Sequence, residues 1–335
     1  MRYFCIEKEL GIDALQLKEK DVPRPGYGQV LVRIRAVSLN YRDLLIISGS
    51  YSRHLPLPLI PLSDGAGEVV EVGAGVSRWL PGDRVAGAFF QDWDGGGLTE
   101  DVPKSALGGA IDGVLSEYAL FRERGLVRVP AIYSFEEGAT LPCAGLTAWN
   151  ALQSGNFACG QSALTLGTGG VSLFALQFAR AGGGRVIATT GSEAKMERLR
   201  KLGAGDVINY RTEPEWEKMV QELTGRRGVD LVVEVGGAGT LGKSLKAVRP
   251  GGQISLIGVL SGATGEVNPL PAVMKNVRIQ GIYVGSREMF EAMNRAIVLN
   301  DIHPVIDRLF AFTEAKEAYR YLQSGAHFGK VVIAI

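Results

Sequence analysis

Cysteine is scarce. Cys5, Cys143 and Cys159 are the only three in 335 residues. They form no C-x-x-C pair, and an odd count gives no basis for a disulfide framework. Histidine is equally thin: His54, His303 and His327 show neither metal-ligand spacing nor a Ser/His/Asp grouping. Charge of one sign is missing too. The formal net charge is +1, with no long run of either sign, so nothing points to nucleic acid or an acidic membrane surface. No apolar run approaches membrane-spanning length. The first residues, MRYFCIEKELGIDALQL, spread charges through the segment and lack the apolar core of a signal peptide. These absences leave a cytoplasmic protein acting on a small molecule as the expectation. The rest is ordinary for a soluble globular chain: 46% hydrophobic, 21% charged, and long enough for two domains. Glycine is plentiful at 45, yet there is no long-period repeat or low-complexity linker.

The stretch from Ser162 to Tyr210 organises the chain. An apolar run, Ala163 to Leu166, is followed by Gly167-Thr168-Gly169-Gly170-Val171-Ser172, then a helical pattern, then a β-branched run from Arg185 to Thr190. Strand, glycine turn, helix and strand make one βαβ unit of a dinucleotide-binding fold. Gly167 permits the tight turn, and Gly169 lets backbone N–H groups approach a pyrophosphate. The helix that follows offers its positive end to that anion. Ser172 stands where the third glycine of the fingerprint would be, and it is small enough to serve.

An NAD site carries an acid at the end of the second strand to accept from the ribose 2′-OH. Here that strand ends Thr190-Gly191-Ser192, with Glu193 just beyond and Lys195 following. A carboxylate about 4 Å from a 2′-phosphate would cost about 4 kcal/mol, whereas hydroxyls and a lysine suit the phosphate. NADPH is therefore expected ahead of NADH, although Lys195 reads equally well as a solvated helix lysine.

Residues 1 to about 130 read as β-rich and are punctuated by glycine and proline. A short polar-then-apolar element, Ser38 to Leu45, reads as a helical turn. Ser134 is placed to cap a helix with Glu136 and Glu137 in its first turn. Beyond Tyr210 the alternation continues through strands at 229–235, 253–259 and 277–284. Six strands interleaved with helices predict an α/β fold with a doubly wound parallel sheet. Its crevice, at the carboxyl ends of the strands, places Gly236, Gly237, Gly258 and Val259 beside the nicotinamide half. A helix at 287–300, a strand at 304–310, a helix at 313–324 capped by Thr313, and a strand at 330–335 then return to the first domain.

The whole chain resembles the medium-chain dehydrogenase/reductase superfamily. The motifs are Gly65-Ala-Gly67-Glu-Val-Val-Glu-Val-Gly73, Pro81-Gly-Asp83-Arg84-Val85, the glycine turn, Leu202-Gly-Ala204 and Phe328-Gly-Lys330-Val-Val. The resemblance implies a β-rich GroES-like catalytic domain, residues 1–140 completed by 286–335, around a Rossmann domain at 141–285. It is nearest the zinc-free quinone oxidoreductase branch and its alcohol dehydrogenase-like relatives. Zinc members hold catalytic metal with Cys, His and Cys. By motif these fall on Asn40, Ser63 and Cys143, so one soft ligand of three remains. The four-Cys structural zinc loop is also absent, since residues 89–109 contain no cysteine. No zinc is expected, and Cys143 then reads as a small buried hydrophobe.

The same resemblance matches Asn40, Asp43 and Tyr51 to the catalytic pattern of the quinone branch. It matches Gly191, Lys195 and Tyr210 to contacts with the 2′-phosphate, and it brings Lys330 near the cofactor. It also implies a homodimer through the sixth strand. Three activities follow. The first is zinc-free reduction of an enone or quinone, with Asn40 donating to a developing enolate and Tyr51 orienting or protonating substrate. The second is alcohol/carbonyl interconversion, which needs an electrophile. The third is non-catalytic NADPH binding. Phe89, Phe90 and Trp93 are expected to line an apolar pocket, against the plainer alternative that they are core.

Overall fold

The structure is a computed structural model that describes residues 1–52 and 55–335, so His54 lies outside the described residues. The chain divides into two compact units, residues 1–146 with 284–335, and residues 147–283.

The second unit is built on six strands: β1 (Ser162–Thr165), β2 (Arg185–Thr190), β3 (Asp206–Asn209), β4 (Val229–Glu234), β5 (Val248–Leu256) and β6 (Arg278–Gly281). They lie in the order β3-β2-β1-β4-β5-β6, and every pairing is parallel. This is the doubly wound order, whose ligand crevice lies at the carboxyl ends of the strands where the order reverses. Leu164, Ile187, Ile208, Val232 and Ile254 supply one buried aliphatic side chain from each of the first five strands, each contributing about 1.5–3 kcal/mol. The strands read as near-continuous apolar runs because helices cover both faces. β6 is the exception, with all four residues exposed. It is also shorter than the sequence suggests; Asn276 and Val284, beyond its two ends, take positive φ (50° and 55°).

In the first unit the long strand Gln29–Leu39 is central. One edge pairs with Asp64–Val72. The other edge is shared end to end: Tyr118–Arg122 pairs with residues 29–33, and Lys330–Ala334 pairs with residues 36–39. The register puts Val331 opposite Leu39 and Asp64 opposite Ser38. One end of this sheet therefore gathers Asn40, Asp64 and Lys330. Ile306–Ala311 covers the outer side of the Lys330–Ala334 strand. The last helix differs from the sequence reading. Phe312–Glu314 forms a 3-10 turn, with Glu314 Oε2 accepting from Ala311 N at 2.8 Å, and the α-helix runs from Ala315 to Gln323. Thr313 is thus inside the entry turn, and Glu314 does the capping.

Candidate functional site

In the nucleotide-binding unit, β1 leads through Gly167–Gly169 into the helix Gly170–Ala181. Gly167 has φ +73°, a conformation that disfavours side chains. Gly169 has an ordinary φ of −77°, and a Cβ added there would meet no atom within 4 Å. Gly169 stands at the N-cap of the helix, and neither backbone strain nor packing inside the chain requires glycine there, so the turn leaves room for the close approach of a pyrophosphate. This fits a dinucleotide. Ser172 is buried, and its Oγ donates to Leu166 O at 2.6 Å, so the departure at the third glycine is fully accommodated.

At the tip of β2 Thr190 is buried and its Oγ1 accepts from Ser192 N at 3.2 Å. Tyr210 lies over Gly191 so closely that any Cβ there would strike its ring. Lys195 is half-buried on the helix that follows. Glu193 accepts from Asn209 Nδ2 at 3.3 Å and leaves no carboxylate at the tip itself.

The glycines after β4 and β5 have a different cause. A Cβ on Gly237 or Gly258 would collide with backbone of the facing loop. The two loops are joined by Ser261 N to Gly236 O at 2.7 Å and Ala238 N to Gly262 O at 3.0 Å. Glu234, with no exposed surface, fastens this turn. Its carboxylate accepts from Gly236 N, Gly237 N and the hydroxyls of Thr240 and Ser244. Sequence reasoning missed Glu234, although an acid inside an otherwise apolar strand was the available signal. Val259 is exposed.

The first unit concentrates its polar groups at the sheet end that holds Asn40. Asn40 N donates to Asp43 Oδ2 at 2.8 Å, so Asp43 caps the helix Tyr41–Ile47 from inside. Burial pushes the Asp43 carboxyl up to about 6, against the pull of neighbouring Arg42. Arg42 donates to Leu107 O at 3.1 Å and Asp43 Oδ1 at 3.4 Å, and its guanidinium lies 4.5 Å from the Phe89 ring centre and 5.1 Å from that of Tyr51. Burial works against its charge, and Asp43 and Tyr51 restore it. Asp64, fully buried, accepts from Ser63 Oγ at 2.7 Å and from Cys143 N at 3.0 Å. Burial raises its carboxyl and Lys330 opposes the rise. Cys143 sits in a single π-helical turn, Leu141–Gly145, and burial together with Asp64 pushes its thiol up, toward the neutral form.

Three expected positions change meaning. Lys330 does not present its ammonium to a cofactor. It is 3% exposed and donates to Leu39 O at 2.7 Å and Asn40 Oδ1 at 2.5 Å. The cause is the strand register, which sets Lys330 beside Asn40. Phe89 has no exposed surface, and Trp93 is buried with its Nε1 donating to Gly96 O at 3.1 Å. Phe89 packs under Arg42 and against Phe90, so its ring offers nothing to a substrate. Tyr51 remains 36% exposed.

Four buried polar atoms here lack hydrogen-bond partners: Asn40 Nδ2, Arg42 Nε and Nη2, and Tyr319 Oη. Asn40 Nδ2 lies close enough to the Asp64 carboxylate to favour its charge, but the contact falls short of hydrogen-bond geometry. Such an unmade bond costs about 1–3 kcal/mol. A zinc ion does not fit this donor set. Asn40 Oδ1 is taken by Lys330 and Ser63 Oγ by Asp64, and a buried ammonium among the ligands would repel a second cation. Among the described residues no group of three or more His, Cys, Asp or Glu is arranged to hold a metal. No described helix is long and apolar enough to cross a membrane.

Residues 26–131 match the alcohol dehydrogenase GroES-like domain, and residues 170–298 match the zinc-binding dehydrogenase domain. A zinc-type alcohol dehydrogenase-like protein of Schizosaccharomyces pombe is 43% identical, over 100% of this chain and 99% of its own length. Among solved structures, an NAD-dependent alcohol dehydrogenase is 33% identical with a TM-score of 0.91, covering 100% of both chains. The quinone oxidoreductase of Escherichia coli, solved with NADPH, is 25% identical with a TM-score of 0.85, also covering 100% of both chains. The chain belongs to the medium-chain dehydrogenase/reductase superfamily and is an oxidoreductase that uses a nicotinamide cofactor.

Proposed function

We propose that this enzyme reduces an activated double bond or a quinone with NADPH and without zinc. The observation that carries the reading is Asn40: a buried carboxamide whose Nδ2 makes no hydrogen bond of normal geometry, although the Asp64 carboxylate lies near it, held in a cluster that does not suit a metal. A donor aimed at developing negative charge in a site shielded from water is the standard means of stabilising an enolate. Gly167, Thr168, Gly169, Gly170 and Val171 would hold the pyrophosphate. Thr190, Gly191, Ser192, Lys195 and Tyr210 would receive the 2′-phosphate, and Gly236, Gly258 and Val259 would border the nicotinamide. The bound reduced nicotinamide supplies the hydride. Asn40 takes up the charge on the substrate oxygen. Tyr51, partly exposed beside Arg42, orients the substrate or returns the proton. Asp43 keeps Asn40 in place by capping its backbone. The missing carboxylate at the tip of β2, with Glu193 tied to Asn209, supports NADPH over NADH.

The matched names favour a second reading, alcohol/carbonyl interconversion, which needs an electrophile at the carbonyl oxygen. NADPH oxidation measured with an enone, a quinone and a simple ketone, beside elemental analysis, separates the two. Turnover of the first two by metal-free protein is expected; stoichiometric zinc with ketone turnover overturns the proposal. Tight NADPH binding with no acceptor reduced would point to a non-catalytic binding protein. We also propose a homodimer through β6. Its residues are exposed, and the helix Leu270–Met274 that precedes it buries none of its own.

A further inference from the structure

Lysine rarely opens a buried strand. Lys330 does so because its neighbour Val331 pairs with Leu39, which brings the ammonium against the last carbonyl of that strand and the first side chain past it. Its contacts with Leu39 O and Asn40 Oδ1 decide the orientation of the amide. An ammonium only donates, so the atom facing it must be the Asn40 oxygen, and Nδ2 must lie on the other side. That nitrogen makes no hydrogen bond of normal geometry; Asp64 lies near it and can occupy at most one of its two N–H donors. A charged donor on Oδ1 also draws electron density through the carboxamide and strengthens the N–H donors at its far end. Burial lowers the Lys330 ammonium from the usual lysine range, and Asp64, Cys143 and Asp43 oppose the fall.

We propose that Lys330 is a positioning residue: its ammonium fixes and polarises the Asn40 carboxamide so that Nδ2 donates to the substrate carbonyl oxygen as negative charge develops there. The cluster thus places a lysine where zinc members of the family hold a metal, and that lysine acts through an amide. The assignment rests on the reductase reading above, and the test separates the two.

Full-length Asn40→Ala, Lys330→Met and the double variant are compared in single-turnover NADPH oxidation, with whichever of an enone or quinone the wild type reduces. Each single variant is expected to slow the hydride step about 100-fold. The double variant should be no slower than either, because Lys330 acts through Asn40. NADPH affinity by fluorescence titration should be unchanged in Lys330→Met. Asn40→Asp keeps an acceptor for Lys330 and removes the donor, so it should lose the same rate while melting like wild type; this arm stands even if Lys330→Met fails to fold. A readout independent of turnover is the absorbance of 4-nitrophenol added to the protein with NADP+. Wild type should favour the phenolate, and Asn40→Ala and Lys330→Met should lose that preference equally. Multiplying rate losses in the double variant, a Lys330→Met defect confined to NADPH affinity, full activity in Asn40→Asp, or identical nitrophenol ionisation in wild type and Lys330→Met would each overturn the assignment. A wild type that reduces no acceptor sinks the reductase reading instead, while the nitrophenol result still judges Lys330.

Discussion

Gly167 and Gly169 are two residues apart and carry glycine for different reasons, which single substitutions can separate. Alanine at 167 must adopt positive φ and is expected to destabilise the fold by about 1–2 kcal/mol. Alanine at 169 keeps an ordinary φ and meets no protein atom. Its urea midpoint should therefore stay close to wild type while NADPH affinity falls about tenfold or more, equivalent to ~1.4 kcal/mol. Equal affinity in Gly169→Ala would remove the argument for a pyrophosphate at that turn. Asp230 allows a test by pH. Burial works against its charge, but Arg227, the Ser162 N–H and Arg249 together hold its carboxyl well below the usual carboxylate range. A depressed acid stabilises the fold at pH values above its unfolded pKa, about 4, and this contribution is lost as pH falls. Asp230→Asn should lose about 2–3 kcal/mol at pH 7 by urea unfolding, and its deficit against wild type should shrink below about pH 4. The glycine turn was legible in the sequence because its signals are local. The meeting of Asn40 and Lys330 was not, because they lie 290 residues apart and only strand register joins them.

Among elements, the parallel sheet was readable because its apolar runs are long and bounded by glycine. β6 was overestimated because Ile282 and Val284 are apolar and buried yet lie outside the ladder. What remains of β6 is an edge strand with exposed Ile279, and the helix before it exposes Val273 and Met274. An unprotected edge of this kind invites pairing with another chain. Ile279→Lys leaves the core untouched, so it is expected to fold normally and to shift sedimentation toward the monomer. Sedimentation identical to wild type would argue against a dimer through this edge. The helix carrying Asn40 shows a complementary limit of sequence reading. The turn expected over Ser38 to Leu45 is a helix over Tyr41–Ile47, because Ser38 and Leu39 belong to the long strand; the Asn40-x-x-Asp43 spacing of a capping box was a local signal, but the burial of Asp43 was not.

For the molecule as a whole, the first unit depends on the late strand Lys330–Ala334, whose Val331, Val332 and Ile333 have no exposed surface. Val332→Asp buries an unpaired charge, at a cost expected to exceed about 3 kcal/mol. Hydrogen exchange should then lose protection in residues 1–146 and 284–335, while β1 to β5 keep theirs. Uniform loss across both units would contradict the division. The split sheet also bears on the route by which the chain folds. Ser38 must find Val331 across 293 positions, a closure that is entropically slow when the intervening chain is loose. The nucleotide-binding unit is one uninterrupted segment and can collapse before that search is complete, replacing a long coil by a compact tether. Mutations that slow its collapse would then delay assembly of the GroES-like half without touching any residue there.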